Sequence, residues 1–346
     1  MPMKKKIAVL GAGSWGTALA GLLGSKDYSV YLWGRPEDGV LEIEKYRENR
    51  RYLPGVILPE TVSLTIDIRE AVTGASVVVI SVPSQAVREV TLNCKPWLGR
   101  RAVIVNTAKG LELGTHLRMS QVVAEILGEN KSDRYAVLSG PSHAEEVGQG
   151  MPTAVVSASR CKRTAFLVQE VFMSSNFRVY TNPDVAGVEL GGALKNIIAL
   201  ASGIAEGLGF GDNTKAALLT RGLSEIARMG AAMGARTQTF AGLSGIGDLV
   251  VTCNSRHSRN RRAGILIGQG KKLKEALEEV GMVVEGVTTT RAAYELARRI
   301  KVTMPITRAT YEVLFRNKDP LEAVSELMRR RRKHEIEEIV KITEGW

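Results

Sequence analysis

Ile7-Ala8-Val9-Leu10-Gly11-Ala12-Gly13-Ser14-Trp15-Gly16-Thr17-Ala18-Leu19-Ala20 reads as a short apolar strand that turns sharply through glycines into a helix. The glycines follow the G-x-G-x-x-G spacing, and each has a physical task. Gly11 permits the tight strand-to-helix turn, Gly13 lets a pyrophosphate approach the backbone without meeting a Cβ, and Gly16 lets helix and strand pack closely. The N–H groups at the helix start suit the phosphates. A glycine triplet alone can be a plain tight turn. Here the strand before it, the helix after it and its position near the start of the chain point to a dinucleotide pocket.

Lys4-Lys5-Lys6 followed by apolar residues and Ala18-Leu19-Ala20 also has the outline of a secretory signal. Three glycines, a serine and a tryptophan interrupt its would-be apolar core, which argues against that reading. Cys94, Cys161 and Cys253 are odd in number, far apart and without a C-x-x-C pair, so neither a disulfide framework nor a zinc site is expected. A reducing cytoplasm fits best. The chain has 346 residues and 44% hydrophobic content, enough for two domains with real cores. No apolar run is expected to reach the roughly 20 residues of a membrane span. The formal net charge of +11 raises the prospect of anionic partners, which could be nucleic acid, anionic lipid or a phosphorylated substrate.

Strand and helix signals alternate through the first half. Strands are expected at Lys6 to Leu10, Ser29 to Trp33, Ala75 to Val82, Ala102 to Val105, Ala136 to Ser139, Thr153 to Ser157 and Phe177 to Thr181. Helices are expected from Ser14 and around Pro36 to Glu48. This βαβ order implies an α/β fold with a doubly wound, mostly parallel sheet. Asn182-Pro183 marks a boundary, and beyond it the pattern is helical: Val185 to Gly207, Thr214 to Ala232, Arg259 to Ile267, Thr288 to Arg299 and Pro305 to Arg316. We therefore expect a dinucleotide domain over 1–182 and an all-helical domain over 183–346. A tight hinge over a ligand cleft is expected near Asn182.

An acidic residue about 20 positions past the glycines would bind a free ribose 2′-hydroxyl; the sequence instead reads Tyr31-Leu32-Trp33-Gly34-Arg35. Arg35 could pair with a 2′-phosphate, which favours NADPH over NADH, or be an ordinary surface arginine. A dehydrogenase acting on a ketone needs a proton donor, and a lysine with a lowered pKa can serve in both directions. Two lysines stand out: Lys109, just past a buried strand, and Lys195, inside the apolar helix Gly191 to Ile198. A lysine that reaches out of a half-buried helix to water is the plainer alternative for Lys195. Asp248, in the glycine-rich stretch Leu243 to Thr252, could balance an active-site lysine or simply cap a helix. Ser255 to Arg262 has the donors of a phosphate clamp at a helix start, and could equally be a basic helix face or a nucleic-acid patch.

Taken together, the motifs resemble NAD(P)-dependent glycerol-3-phosphate dehydrogenase of the bacterial type over essentially the whole chain. They are Gly11 to Gly16 with Ser14-Trp15, Arg51-Tyr52-Leu53-Pro54-Gly55, Asn106 to Gly110, Ser139-Gly140-Pro141-Ser142-His143-Ala144, Gly192 to Asn196, Gly245 to Asp248, Ser258-Arg259-Asn260 and Val283-Val284-Glu285-Gly286. The resemblance implies a Rossmann domain joined to a helical domain, and interconversion of glycerol 3-phosphate with dihydroxyacetone phosphate in supply of phospholipid synthesis. It implies that Lys195 takes the alcohol proton, that Lys109 touches cofactor and substrate, and that Asp248 stands beside them. Gly140, Ser142, Asn196, Ser258, Arg259 and Asn260 match substrate positions. Gly11, Gly13, Ser14, Trp15, Gly16, Arg35, Lys109, Ala144, Arg259, Val283 and Glu285 match cofactor positions. No metal is implied.

Two other readings fit the same residues. A 2- or 3-hydroxyacid dehydrogenase of the helical-domain type would replace the phosphate by a carboxylate. An NAD(P)H-sensing nucleic-acid-binding protein would use the basic patches, but no helix-turn-helix or zinc module is legible, so no nucleic-acid partner is expected. A homodimer is expected. The basic block Arg329 to Lys333 reads as a solvated helix end rather than a membrane contact, because Glu335, Glu337 and Glu338 follow closely and no aromatic-rich face accompanies it.

Overall fold

The computed structural model describes residues 5–331, apart from the side chains at 130 and 131, and divides them into two compact units. One comprises the chain up to Ala108 together with Met119–Val185; the other comprises Lys109–Arg118 and everything from Ala186 on.

The first unit holds ten strands: β1 Lys6–Leu10, β2 Ser29–Trp33, β3 Glu48–Asn49, β4 Leu53–Ile57, β5 Val62–Thr65, β6 Val77–Ile80, β7 Val103–Asn106, β8 Tyr135–Ser139, β9 Thr153–Ala158 and β10 Phe177–Asn182. Eight of them form one sheet in the order β10-β9-β8-β7-β6-β1-β2-β5, while β3 and β4 pair antiparallel on their own. Every neighbouring pair in the sheet is parallel except β8 with β9. Val-rich β6 and β7 are buried at every position, as strands covered on both faces must be. The helices are α1 Ser14–Gly24, α2 Val40–Tyr46, α3 Ile68–Val72, α4 Val87–Cys94, α5 Met119–Leu127, α6 Ala144–Gly148 and α7 Lys162–Phe172. The chain leaves β1 toward β2 and β5, then crosses back to β6 on the other side of β1. That reversal is the topological switch point where open α/β sheets bind ligands.

The single helix expected over Pro36 to Glu48 is instead two pieces. A short 3-10 turn at Pro36–Asp38 ends at Gly39, whose φ of 79° is left-handed, and α2 restarts at Val40. Strands β3, β4 and β5 and helix α3, each of two to five residues, are too short to announce themselves in the sequence.

In the second unit the regular elements among the described residues are helical: α8 Val185–Gly207, α9 Asp212–Ala232, α10 Asp248–Asn254, α11 Arg259–Gly268, α12 Leu273–Val280, α13 Glu285–Arg299, α14 Pro305–Arg316 and α15 Pro320–Met328. At 23 residues α8 is long and apolar enough to span a membrane, against the expectation that no such run exists. An 18-residue stretch of it is 94% buried inside the fold, and it carries Glu189 and Lys195, so it is a core helix. Leu190, Leu194, Ile197 and Ile198 pack there with Leu249, Ala292 and Ile306. Arg329, Arg330 and Arg331 are exposed beyond α15, whereas Arg332, Lys333 and the carboxylates after them lie outside the described residues.

Lys26, in the turn between α1 and β2, stitches the first unit together. Its ammonium donates to the carbonyls of Glu170 (2.9 Å), Val171 (2.7 Å) and Met173 (2.5 Å), the acceptors that the end of α7 would otherwise leave bare. Replacing Lys26 by Met should lower the unfolding free energy by about 1–2 kcal/mol, the scale of a charged hydrogen bond shared with water. Urea titration of the variant checks this. A shift below about 0.3 kcal/mol would show that water satisfies those carbonyls equally well.

Candidate active site

The glycine turn is built as its spacing demands. Gly11 has φ 121°, and a Cβ there would stand 2.5 Å from the Ser81 carbonyl at the end of β6. A Cβ on Gly16 would fall 1.8 Å from the Gly11 carbonyl, so α1 can begin only against a bare glycine. Gly13 differs from both: nothing lies within 4 Å of the position of its Cβ. It is the N-cap of α1 and supplies no side-chain cap, which leaves the helix start to an outside acceptor. The buried Ser81 hydroxyl beside this turn has no protein partner either. An open face over Gly13, a helix N-terminus and an orphaned hydroxyl together fit a dinucleotide pyrophosphate.

Asn49 fixes this turn, and the motif did not point to it. The side chain is 1% exposed; its amide donates to the Ala12 carbonyl and the Thr17 hydroxyl, each at 2.8 Å, and its oxygen accepts from the Tyr52 N–H at 3.1 Å. Arg35 follows β2 and pairs with Asp38 at 3.0 Å, with Asp38 also accepting from the Arg35 backbone N–H at 2.9 Å. A 2′-phosphate would compete with that carboxylate for the same guanidinium. Gly140, with φ 147°, and Ser142, donating to its carbonyl at 3.1 Å, follow β8, and Ala144 opens α6.

The second unit gathers two lysines around one carboxylate. Asp248 is 1% exposed; Lys109 Nζ binds its Oδ2 at 2.8 Å and Lys195 Nζ binds its Oδ1. Lys195 also donates to the Thr252 hydroxyl at 2.7 Å, and that hydroxyl donates in turn to the Asp248 backbone carbonyl at 2.6 Å. Among the described residues, these contacts engage two of the three ammonium protons of Lys195. Burial pulls the Lys195 pKa down to about 8; Asp248 resists the shift and Lys109 adds to it. Burial works to raise the Asp248 pKa, but the two ammonium groups outweigh it and hold the carboxyl below its usual range.

Backbone contacts create this cluster. A Cβ on Gly191 would lie 2.3 Å from the Ser244 carbonyl, so the π-helical turn Leu243–Gly247 rests directly on α8. One turn further along the same face stands Lys195, opposite Asp248 at the start of α10. Lys109 arrives on the segment Lys109–Arg118, which belongs to this helical unit although the sheet unit precedes and follows it. Leu111 is fully buried there, Arg118 pairs with Glu189 at 2.7 Å, and His116 with Glu295 at 2.8 Å.

The basic stretch joins the same cluster through amides. Ser258 caps α11 by accepting from the Arg261 N–H at 3.2 Å, which places Arg259 and Asn260 in the first turn. Asn260 donates to Asn196 at 2.9 Å, Asn196 donates to the Lys109 carbonyl at 3.2 Å, and the Gly286 N–H donates to Asn260 at 2.8 Å. Val283 is half exposed just before the N-cap of α13, and Glu285 is the first residue of that helix. Lys109, Lys195, Asn196, Asp248 and Asn260 thus form one connected group, with Thr252 a member that sequence reasoning missed. Its only sequence signal is its place one helical turn after Asp248. No group of three or more histidine, cysteine or acidic side chains suited to a metal occurs among the described residues.

Two family profiles match: NAD-dependent glycerol-3-phosphate dehydrogenase N-terminus over residues 6–165 and the C-terminus of the same family over residues 184–325. The chain is 61% identical to the glycerol-3-phosphate dehydrogenase [NAD(P)+] of Syntrophomonas wolfei over 341 residues, 99% of each protein. It is 56% identical to that of Geobacillus kaustophilus, covering 97% of each. The crystal structure of glycerol-3-phosphate dehydrogenase from Coxiella burnetii superimposes with a TM-score of 0.91 at 42% identity, covering 95% of this chain and 100% of that one. A ketopantoate reductase from Ralstonia eutropha, at 18% identity and a TM-score of 0.60, shares the fold alone.

The Asn49 contacts lead to a direct expectation. Asn49→Ala should weaken dinucleotide binding about tenfold, the loss of a hydrogen bond that orders the turn, while leaving the KM of the second substrate within about twofold. Quenching of Trp15 fluorescence on titration with dinucleotide reads the first effect, and steady-state kinetics the second.

Proposed function

The chain belongs to the NAD-dependent glycerol-3-phosphate dehydrogenase family, and from that premise we propose the residues by which it interconverts sn-glycerol 3-phosphate and dihydroxyacetone phosphate. The observation that carries the assignment is the buried Lys195 with two of its protons committed and a pKa brought down to about 8. The bound nicotinamide supplies or accepts the hydride at C2.

In oxidation, neutral Lys195 takes the C2 hydroxyl proton as the C2–H bond yields its electron pair. In reduction, the Lys195 ammonium gives that proton to the developing alkoxide. Asp248 and Thr252 hold the amine so that its third valence is directed to the substrate oxygen. While Lys195 is protonated, as it is for reduction, Lys109 and Lys195 together outweigh the single Asp248 charge, which suits an anionic substrate. Arg259 and Asn260, at the start of α11, bind the phosphate with Ser258, Asn196, Gly140 and Ser142, and that remote contact fixes C2 for reaction. We assign the dinucleotide to Gly11, Gly13, Ser14, Trp15, Gly16, Arg35, Lys109, Ala144, Arg259, Val283 and Glu285. Because Asp38 already occupies Arg35, a 2′-phosphate gains less there than a free arginine would offer, and the assignment covers both NADH and NADPH.

The proton-transfer role fixes a pH profile. Oxidation requires the unprotonated amine, so its kcat should rise through about pH 8 and level off above; reduction requires the ammonium, so its rate should fall over the same window. Lys195→Met should lower kcat by at least about a hundredfold and remove the inflection in both directions. Retention of more than about a tenth of the activity would take Lys195 out of the mechanism.

Arg259→Ala tests the phosphate assignment. It should raise KM for dihydroxyacetone phosphate by about tenfold or more, the worth of one charge-assisted hydrogen bond, with little change for dihydroxyacetone, which has no phosphate. Equal effects on the two substrates would show that Arg259 is no phosphate ligand.

A further inference from the structure

Helix α8 carries Lys195 and helix α11 begins with Arg259 and Asn260, so their packing sets the reach between proton transfer and phosphate. They meet backbone to backbone. A Cβ on Gly264 would lie 2.2 Å from the Leu200 carbonyl, and one on Gly268 would lie 2.2 Å from that of Ile204. Reciprocally, a Cβ on Gly203 would lie 2.2 Å from the Arg261 carbonyl and one on Gly207 would lie 2.2 Å from that of Ile265. Gly203 and Gly207 on one helix, and Gly264 and Gly268 on the other, therefore form a glycine face on each side at four-residue spacing. Side chains ordinarily hold helix axes about 8–10 Å apart, and here none intervenes.

The contacts advance together along both helices: Asn196 with Asn260, Leu200 with Gly264, Ile204 with Gly268. The helices thus run in the same direction in one register. Two polar contacts lock it, the Asn260–Asn196 hydrogen bond at 2.9 Å and the Arg261 guanidinium on both Glu206 oxygens, with its Nε at 2.9 Å. Unlike leucine packing, which can slide and repack, a carbonyl resting on a glycine Cα has one stopping distance.

We propose that this glycine crossing is a specificity-determining element, which sets the distance from Lys195 Nζ to the phosphate-binding start of α11 and so selects a three-carbon phosphate by length. The proposal rests on the assignment of Arg259 and Asn260 to the phosphate. A methyl group on Gly264 cannot be accommodated by a side-chain rotation, because it meets backbone. The helices must separate by about 1 Å, a displacement that can cost about a hundredfold when it falls between two anchored ends of a substrate. A substrate without the phosphate is anchored at one end only and does not feel the change.

The test measures kcat/KM in the full-length enzyme for dihydroxyacetone phosphate and for dihydroxyacetone, in the wild type, Gly264→Ala and Gly268→Ala. Gly264→Ala should lose about 30- to 100-fold on the phosphorylated substrate and stay within about threefold on dihydroxyacetone. Gly268 is the last residue of α11, where the helix end can splay, so Gly268→Ala should fold even if Gly264→Ala does not, and should show the same asymmetry at smaller size. Parallel losses on both substrates would make the crossing a purely structural contact and overturn the proposal. Undiminished activity on both would overturn it as well. Arg259→Ala separates the two levels: if that variant discriminates between the substrates while both glycine variants do not, only the length-selection proposal falls. If Arg259→Ala fails to discriminate, the phosphate assignment itself falls.

Discussion

One carboxylate holds together the charged cluster of the helical unit. Asp248 is buried and shared by two lysines, and its charge offsets the cost of holding the Lys195 ammonium in the helical interior. The arrangement is unequal by design: two positive charges face one negative charge, so the cluster keeps a net attraction for an anion and a residual repulsion between Lys109 and Lys195. That repulsion adds to desolvation in lowering the Lys195 pKa, while Asp248 keeps the amine from losing its proton altogether. The proton-transfer role proposed for Lys195 needs both influences, because each alone would carry its pKa too far from neutrality.

The carboxylate holds its place because the backbone around it has almost no side chains to spare. Gly191 admits the Ser244 carbonyl onto α8, and a Cβ on Gly245 would lie 2.0 Å from the Phe240 carbonyl. The π-helical turn that results hands over directly to α10 with Asp248 as its first residue. Turns of this kind tend to occur at functional sites, since they aim a side chain that a regular helix would point elsewhere. The same economy operates in the dinucleotide unit, where Gly11 and Gly16 remove Cβ atoms that would hit carbonyls and Asn49 ties the turn to α1 through the Ala12 carbonyl and the Thr17 hydroxyl. In both units glycine sets distance and an amide or carboxylate sets orientation.

Much of this was legible in the amino-acid sequence. The strand, glycine turn and helix at Lys6–Gly24 are local: the apolar run, the three glycines and the helix that follows interact within one short stretch, so their pattern reports their geometry. The alternation of strands and helices and the switch to helices after Asn182 were readable for the same reason. Lys195 stood out because a charge in an apolar helix is costly, a fact of composition rather than of position. Less was legible where elements are short, as in the hairpin β3–β4 and the broken helix at Gly39, whose left-handed φ ends the first turn.

Tertiary structure alone decided which of these residues meet. No periodicity indicates that Lys109–Arg118 leaves the sheet unit, because the forces that hold it, Arg118 on Glu189 and His116 on Glu295, join residues 71 and 179 positions apart. Thr252 and Asn49 are ordinary polar residues in sequence and become parts of the site only through burial and the partners they find there. Even the pKa of Lys195 belongs to this level. The sequence supplies a lysine among apolar neighbours, but the size of the shift depends on how far water is excluded and how near two other charges lie, and distances between remote segments are set only when the chain packs.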